Sequence, residues 1–505
     1  MGSEHPIGVR APASMATSQL GSVGMPSCNV YTLVARHTSG YLNKKFLSNL
    51  SPCSYYPLMD DLNHEQYLAS RADTGVNLVL AGAGTGKTRT LVEKVRNVIR
   101  DLPMEPEHVV VLTFSRKAAE ELRERVAARS GPRGREVTAG TFHSYCLDLL
   151  RRNAGILMRT RGFSRFPAVI DDDERKRIIR DLIHADLRRF LGMPSGVVYD
   201  LMMKRDSLAA WKRKRLVESG LEEALEDLEG RFRALKLERN LIDYGDMMNF
   251  AISMIEENRA VRGDVLSRHR YIFVDEFQDV AGDNIRLLKL ILPDAGGNLF
   301  AVGDDWQSIY GFRGASVNYI VGMQRHFPGT RVHRLTVNYR SRREIVSLSK
   351  RFIRKNRFRT RNRLRSGRGG GGRVRFHVVG SFEEEVEAIR GVLDARGASL
   401  RTAVLYRNNW QGSCLKEGLC SNDDGSGGVS FMTMHAAKGL EFDCVIIAGV
   451  CDGIIPDADN SIEEERRLLY VACTRARDEL HIIAYLNDEG EVGRFGRELG
   501  IDKNY

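Results

Sequence analysis

Three things are scarce in this sequence of 505 residues, and each scarcity excludes something. The first is paired cysteine. Cys28, Cys53, Cys146, Cys414, Cys420, Cys444, Cys451 and Cys473 are scattered, and none belongs to a Cys-x-x-Cys pair. That argues against a zinc ribbon or a disulfide framework and suits a reducing, cytoplasmic compartment. The second is the long apolar run: no stretch approaches the roughly 18 residues that cross a bilayer, so no membrane partner is expected. The third is acid near the start. Residues 1–59 are nearly free of Asp and Glu, rich in Ser, Gly and Pro, and without periodicity, which reads as a disordered N-terminal tail. That tail has no apolar secretory core and few arginines, and Pro6 stands where a myristoylation pattern needs Ser or Thr.

What remains is a chain long enough for several domains with cores of their own. It is 42% hydrophobic and 28% charged, with a net charge of +11. An excess of that size favours a polyanionic partner through phosphate neutralisation and counterion release, although many basic proteins bind no nucleic acid.

The sharpest local signal begins at Val76. Val76 to Leu80 is a short apolar run suited to a strand buried on both faces. After Lys87 and Thr88, the apolar residues Leu91, Val92, Val95, Val98 and Ile99 recur at helical spacing. Between them lies Ala81-Gly82-Ala83-Gly84-Thr85-Gly86-Lys87-Thr88, followed by Arg89. A strand, a glycine-rich turn and a helix start make a phosphate cradle. Glycines let the backbone wrap the anion, amides and the helix dipole face it, Lys87 neutralises it, and Thr88 can ligate Mg²⁺. The general pattern wants Gly where Ala81 stands. Far downstream, a second apolar run, Tyr271 to Val274, ends in Asp275-Glu276-Phe277-Gln278-Asp279. At a strand end beside such a loop, Asp275 can hold Mg²⁺ and Glu276 can polarise an attacking water. Together the two segments point to nucleotide hydrolysis.

Further segments, in order, make the chain resemble the UvrD/Rep family of superfamily 1 DNA helicases. Leu62-Asn63-x-x-Gln66 resembles the family's adenine-reading segment, and Ala81 matches the family's own form of the phosphate loop. Thr113-Phe114-Ser115-Arg116-Lys117-Ala118-Ala119 and Thr141-Phe142-His143-Ser144 resemble the segments that line the single-strand track. The stretch from Val302 through Trp306, Gln307, Tyr310, Phe312 and Arg313 to Ala315 resembles motif III, and its Trp306 is shared with the helicase IV branch. Asn338-Tyr339-Arg340-Ser341 resembles motif IV. Motif V is matched from Thr433 through His435 and Gly439 to Glu441 and Phe442, and motif VI from Glu464 through Arg475 to Arg477.

The resemblance implies roles, residue by residue. Gln307 senses the γ-phosphate; Arg340 and Arg475 clamp the transferring phosphoryl group, for which a guanidinium fork is suited. Tyr339 stacks on adenine and Glu441 reaches the nucleotide sugar, with Gln66, Arg89 and Gly439 also in the nucleotide site. Phe114, Arg116, Thr141, Phe142, His143, Tyr310, Phe312, Arg313, Thr433 and His435 contact DNA. Two positions depart from the family. Phe312 stands where Trp is frequent, and Arg116 where Asn is usual.

The implied fold class is α/β: two RecA-like P-loop domains, a helical insertion (1B) and little or no 2B domain. Residues 60–143 and 240–330 would build the first domain. Residues 144–239 would form the insertion, with helices over Glu174 to Phe190 and Leu216 to Leu241. Its basic residues Lys204, Arg205, Lys212, Arg213, Lys214 and Arg215 fit either a DNA contact or a solvated face. Residues 331–505 would form the second domain, including a basic, Gly-rich run at 350–375 that fits a flexible linker or a DNA-backbone contact. With motif VI so near the last residue, no appended nuclease or zinc module is expected. The expected activity is ATP- and Mg²⁺-dependent movement 3′ to 5′ on single-stranded and forked DNA, by a monomer, in repair or recombination. One rival is a translocase that strips proteins without unwinding. The other is a DNA-binding scaffold with a relic ATP site, which predicts damage at Lys87, Asp275, Glu276, Gln307, Arg340 or Arg475; all six are present.

Overall fold

Short apolar runs, buried on both faces, set the architecture. A computed structural model describes residues 62–101, 105–190, 192–204, 216–293, 297–395, 400–419 and 428–501. The first sheet joins β1 (Val76–Ala81), β2 (Val109–Thr113) and β3 (Thr138–Thr141) to three later strands. Two-residue strands β4 (Ala168–Val169) and β5 (Leu241–Ile242) pair elsewhere, and then β6 (Tyr271–Val274), β7 (Asn298–Gly303) and β8 (Arg331–Leu335) complete it. The order is β3-β2-β6-β7-β1-β8, with every pairing parallel. Parallel neighbours need crossovers, and helices such as Lys87–Asp101 and Phe142–Arg152 cover both faces.

The second sheet follows a small ribbon of β9 (Val337–Asn338) and β10 (Arg365–Ser366). It comprises β11 (Arg373–Val379), β12 (Thr402–Tyr406), β13 (Val429–Thr433), β14 (Phe442–Val450) and β15 (Ala476–Tyr485), in the order β11-β15-β14-β12-β13, again all parallel.

Two boundaries differ from the sequence-based expectation. The strand β8, expected in the second domain, is the edge of the first sheet, paired with β1. Its sequence, RVHRL, has three polar residues among five and so lacks the continuous apolar run of its neighbours. The helix Phe142–Arg152, expected largely in the insertion, packs Phe142, Cys146, Leu149 and Leu150 into the core of the first sheet. A separate helical core, from Ile170 to Phe232, begins only later, and β4 with β5 closes it. Of the six basic residues expected there, Arg205, Lys212, Arg213, Lys214 and Arg215 lie outside the described residues, as does the tail at 1–59.

The run 350–375 is not a loose linker. It finishes the helix Arg343–Ile353, forms β10 and enters β11. The Glu344 carboxylate accepts from the amides of Gly371 at 3.2 Å and Gly372 at 2.9 Å, so the glycines turn against a fixed anchor. Among the described residues, the stretch between Ser341 and Thr433 supplies β10, β11, β12 and the helices Phe382–Ala395 and Asn409–Gly418, with no separate helical unit. Also among the described residues, no helix is long and apolar enough to cross a membrane.

The two sheets are joined by a small apolar cluster. Trp306, 1% exposed, leaves the first sheet's connecting loop and packs among Val346, Ile353, Leu364 and Tyr470 of the second layer. Its ring meets Tyr470 edge-on, with centroids 5.7 Å apart.

Candidate functional site

The glycine-rich loop after β1 is wrapped tightly by its surroundings. Gly84 and Gly86 have φ of 67° and 81°, in the left-handed region that favours glycine. Side chains would also collide there: a Cβ on Gly84 would stand 2.7 Å from Arg340 Cβ, and one on Gly86 2.5 Å from Gln66 Nε2. Thr85 Oγ1 donates to the Gly82 carbonyl at 2.8 Å and holds the turn. From the second layer, Asn338 Nδ2 donates to the Ala83 carbonyl at 2.7 Å and the Tyr339 amide to that of Gly84 at 2.8 Å.

A cleft of about 490 Å³ opens between the two sheets. Gly82 to Arg89, Asp275, Glu276, Gln307, Arg340, Gly439, Glu441 and Arg475 all line it. The structure thus gathers residues scattered over nearly 400 positions. Ala81 is 1% exposed and belongs to β1 itself, so it supports the loop from behind. Gln66 and Tyr339 do not line this cleft. Gln66 caps the helix His64–Ser70 in a reciprocal box with Asn63, and its Nε2 donates to the Thr85 carbonyl at 2.9 Å. Asn63 Nδ2 also donates to the Tyr339 hydroxyl at 2.7 Å, so the three form a group behind the loop, with the Tyr339 ring 47% exposed.

Charge in the cleft is ordered. Thr88 Oγ1 donates to Asp275 Oδ2 at 3.3 Å. A hydroxyl and a carboxylate side by side are hard oxygen donors, and these two fit Mg²⁺. Glu276 has φ of 52°, which is uncommon for a residue with a side chain. Burial acts to raise its pKa, but Lys87, Lys438, Gln278 and Arg475 together outweigh burial and hold Glu276 below the usual range, as a carboxylate. Burial, with the neighbouring Glu276 charge, pushes Asp275 the other way.

Gln307 uses its carboxamide in two directions: Nε2 donates to Asp304, and Oε1 accepts from Arg475 Nη2 at 3.0 Å. Burial, with the nearby Arg340 charge, draws Arg475 down to about 9, still charged at neutral pH. Arg340 Nε donates to Glu441 Oε2 at 2.8 Å. Such a cleft can grip a polyphosphate, hold a divalent cation and present a carboxylate to water.

A second hollow, of about 350 Å³, lies beside the cleft. Phe114, His143, Tyr310 and Arg313 line it, together with Tyr244. Tyr310, Phe312 and His435 continue the row, with ring centroids 5.9 Å and 5.6 Å apart, and the Arg313 guanidinium sits 5.6 Å from the Phe312 ring. Burial, with Arg407, Arg313 and Lys438 close by, takes His435 down to about 4, so it is neutral.

Several expected DNA contacts are also engaged within the protein. Phe142 also lines the second hollow but is only 1% exposed, packed against Phe114 with centroids 5.2 Å apart. The Thr141 hydroxyl caps the helix Phe142–Arg152, accepting from the Ser144 amide at 3.0 Å. Arg116 is exposed at the first turn of the helix Arg116–Ser130, and Thr433 Oγ1 accepts from the Ala436 amide at 3.2 Å.

Sequence reading passed over Lys438. Its ammonium donates to Asp279 Oδ2 at 2.5 Å and to the Gln307 carbonyl at 3.1 Å, and stands 4.6 Å from the Tyr310 ring centroid. It touches the nucleotide cleft and the aromatic row at once. The signal was present, as a lysine inside motif V.

Comparison with known proteins now decides the family. The profile of the UvrD/REP helicase N-terminal domain matches residues 62–328, and that of the UvrD-like helicase C-terminal domain matches 413–487. The chain belongs to the UvrD/REP helicase family. Its two parallel layers are therefore RecA-like P-loop domains. The ATP-dependent DNA helicase Rep of Salmonella typhimurium is 31% identical over 395 residues, which is 75% of this chain and 57% of that one. ATP-dependent DNA helicases PcrA of Staphylococcus aureus and Leuconostoc citreum are 30% and 28% identical, over 71% and 72% of this chain. The match spans about half the length of these UvrD/REP relatives, 50% and 49% for the two PcrA proteins.

Proposed function

We propose that this protein is an ATP-driven motor that moves 3′ to 5′ along single-stranded DNA and separates the duplex ahead of it. The observation that carries the reading is the cleft: a phosphate loop and Glu276 from one RecA-like layer face Arg340 and Arg475 from the other. A nucleotide bound there would be touched by both layers, so its hydrolysis would change their affinity for each other. Polarity follows the family resemblance.

In this mechanism the loop amides and Lys87 neutralise the β- and γ-phosphates. Thr88 and Asp275 would hold Mg²⁺, which when bound neutralises charge on the phosphate oxygens. Glu276, kept ionised by the surrounding cations, accepts a proton from the attacking water. Gln307 and Arg475 meet the charge that develops on the transferring phosphoryl group, and Arg340 adds a second guanidinium. Differential affinity of the two cleft states for DNA then ratchets the strand. The helical unit with its core at Ile170–Phe232 serves as insertion 1B.

One observation favours a narrower output. With no separate 2B-like unit among the described residues, the motor is equally suited to stripping proteins from a strand. A fork substrate set against a protein roadblock separates the two outputs. The founding test is steady-state ATP hydrolysis with and without single-stranded DNA, beside Glu276→Gln. Strong stimulation, lost in the variant, is expected; equal rates with and without DNA would overturn the reading.

A further inference from the structure

Outside the cleft and the aromatic row, the second domain carries a groove lined by Lys350, Arg354, Arg359, Arg361 and Arg363, with Asn362 at its base. It runs beside the stretch from Arg357 to Arg365, where arginine occupies every second position; the chain bends over 357–359, and from Thr360 on exposed and covered residues alternate into β10. Period two is the period of extended chain, so alternate residues take opposite faces. The inward residues are anchors: Thr360 N donates to Asp305 Oδ2 at 2.7 Å, Leu364 is 1% exposed, and Asn362 Oδ1 is buried without a hydrogen-bond partner. Arg361 and Arg363 point out and are exposed, as is Arg354. Among the described residues, Arg354, Arg361 and Arg363 form no ion pair. The acids bonded to this stretch hold its backbone: Asp305 accepts from the Thr360 amide, and Glu463 from the Arg357 amide at 2.7 Å and also pairs with Arg467. Phe358, 42% exposed, belongs to the same stretch but does not line the groove.

Lys350 and Arg359 donate to main-chain carbonyls, of Leu364 and of Arg354 and Thr360, which leaves the guanidiniums of Arg354, Arg361 and Arg363 for a ligand. Three such cations without an acidic partner suit a phosphodiester backbone, because the guanidinium fork fits phosphate oxygens. We infer that this groove is a second DNA site, which holds the backbone of strand or duplex lying beyond the aromatic row.

The anchors give the site a route to the nucleotide. Asp305, which binds Thr360, is two residues before Gln307, and Trp306 Nε1 donates to the Thr360 carbonyl at 3.4 Å. On the other side, Arg467 Nη2 donates to the Phe358 carbonyl at 3.0 Å, from the helix Ile462–Cys473 that leads to Arg475. DNA in the groove therefore rests on a turn pinned to both motor layers.

The inference rests on the motor reading, and its test keeps the two apart. The variant Arg354→Ala/Arg361→Ala/Arg363→Ala leaves the cleft and the aromatic row intact. Binding of a fluorescent fork, a duplex and a single strand is measured by anisotropy from 50 to 200 mM salt. For the fork or the duplex, the variant should lose about 2–3 from the slope of log K against log [salt], since each phosphate contact contributes about 0.9. Affinity at 100 mM salt should fall about tenfold or more, while ATPase stimulation by single-stranded DNA stays at the wild-type level. The corresponding triple Arg→Lys variant should retain the slope, which separates lost charge from lost folding. Unchanged affinity and slope for all three DNAs in the alanine variant would overturn the second site. Absence of ATPase stimulation in the wild type would instead overturn the motor reading.

Discussion

Arg475, carried by the second RecA-like layer, donates to Gln307 of the first at 3.0 Å, with both side chains almost fully buried. The bond joins the residue expected as arginine finger to the residue expected to sense the γ-phosphate. If they carry those roles, a phosphoryl group entering between them would compete for both and open the contact. Replacing Arg475 with Lys keeps a charge but removes the fork. Single-turnover hydrolysis should slow about 10³-fold, in line with what such arginines supply. Nucleotide binding, followed with a fluorescent ATP analogue, should persist; near-normal hydrolysis would remove Arg475 from the chemistry.

Much of this was legible before folding, for a physical reason. A phosphate loop must be contiguous, because successive amides face one anion, so Gly82 to Thr88 announced itself. The buried strands did too, since parallel sheet covered on both faces demands unbroken apolar runs. Less legible was whatever depends on the partner layer. Phe142 looks like Phe114 in sequence, and only packing shows that one ring roofs the other. The polar residues of β8 hid a sheet edge, and the glycines near 370 suggested slack where Glu344 ties them down.

Lys438 bridges the cleft and the aromatic row, which makes it the natural carrier of DNA stimulation. Removing it alone would strand Asp279 as a buried, unpaired carboxyl, a loss of several kcal/mol. The test is therefore Lys438→Met combined with Asp279→Asn. The basal rate should fall with the charge lost beside Glu276, and the ratio of DNA-stimulated to basal hydrolysis should drop to about one. Retained stimulation would show that the coupling runs elsewhere.

His481 should make the second domain sensitive to acid. It lies 3.0 Å from His377, nitrogen to nitrogen, which suits two neutral rings, one donating and one accepting. Burial, then His377, Arg375 and Arg373, take His481 down to about 4. Unfolded, it would titrate near 6.5. Between those values the unfolded chain binds more protons, so this residue's contribution is full above about pH 6.5 and is lost as pH falls toward 4. Chemical denaturation of wild type and His481→Gln from pH 7.5 to 4.5 isolates the effect. Wild type should lose stability relative to the variant by up to about 1.4 kcal/mol per pH unit. A pH-independent difference would mean that His481 titrates normally.

Phe312 is the aromatic most open to a base. It is 60% exposed, flanked by Tyr310 and His435 edge-on, with the Arg313 guanidinium 5.6 Å from its ring. Any base can stack on such a face, at about 1–3 kcal/mol. Phe312→Ala should therefore weaken binding of a short single strand about 5- to 150-fold, with little dependence on its sequence. ATP hydrolysis at saturating DNA should fall much less, because the cleft is untouched. Phe312→Trp enlarges the same surface and should match or exceed wild-type affinity. If alanine and tryptophan both bind as wild type does, the strand passes over other residues and the track drawn through Tyr310, Phe312 and His435 is wrong.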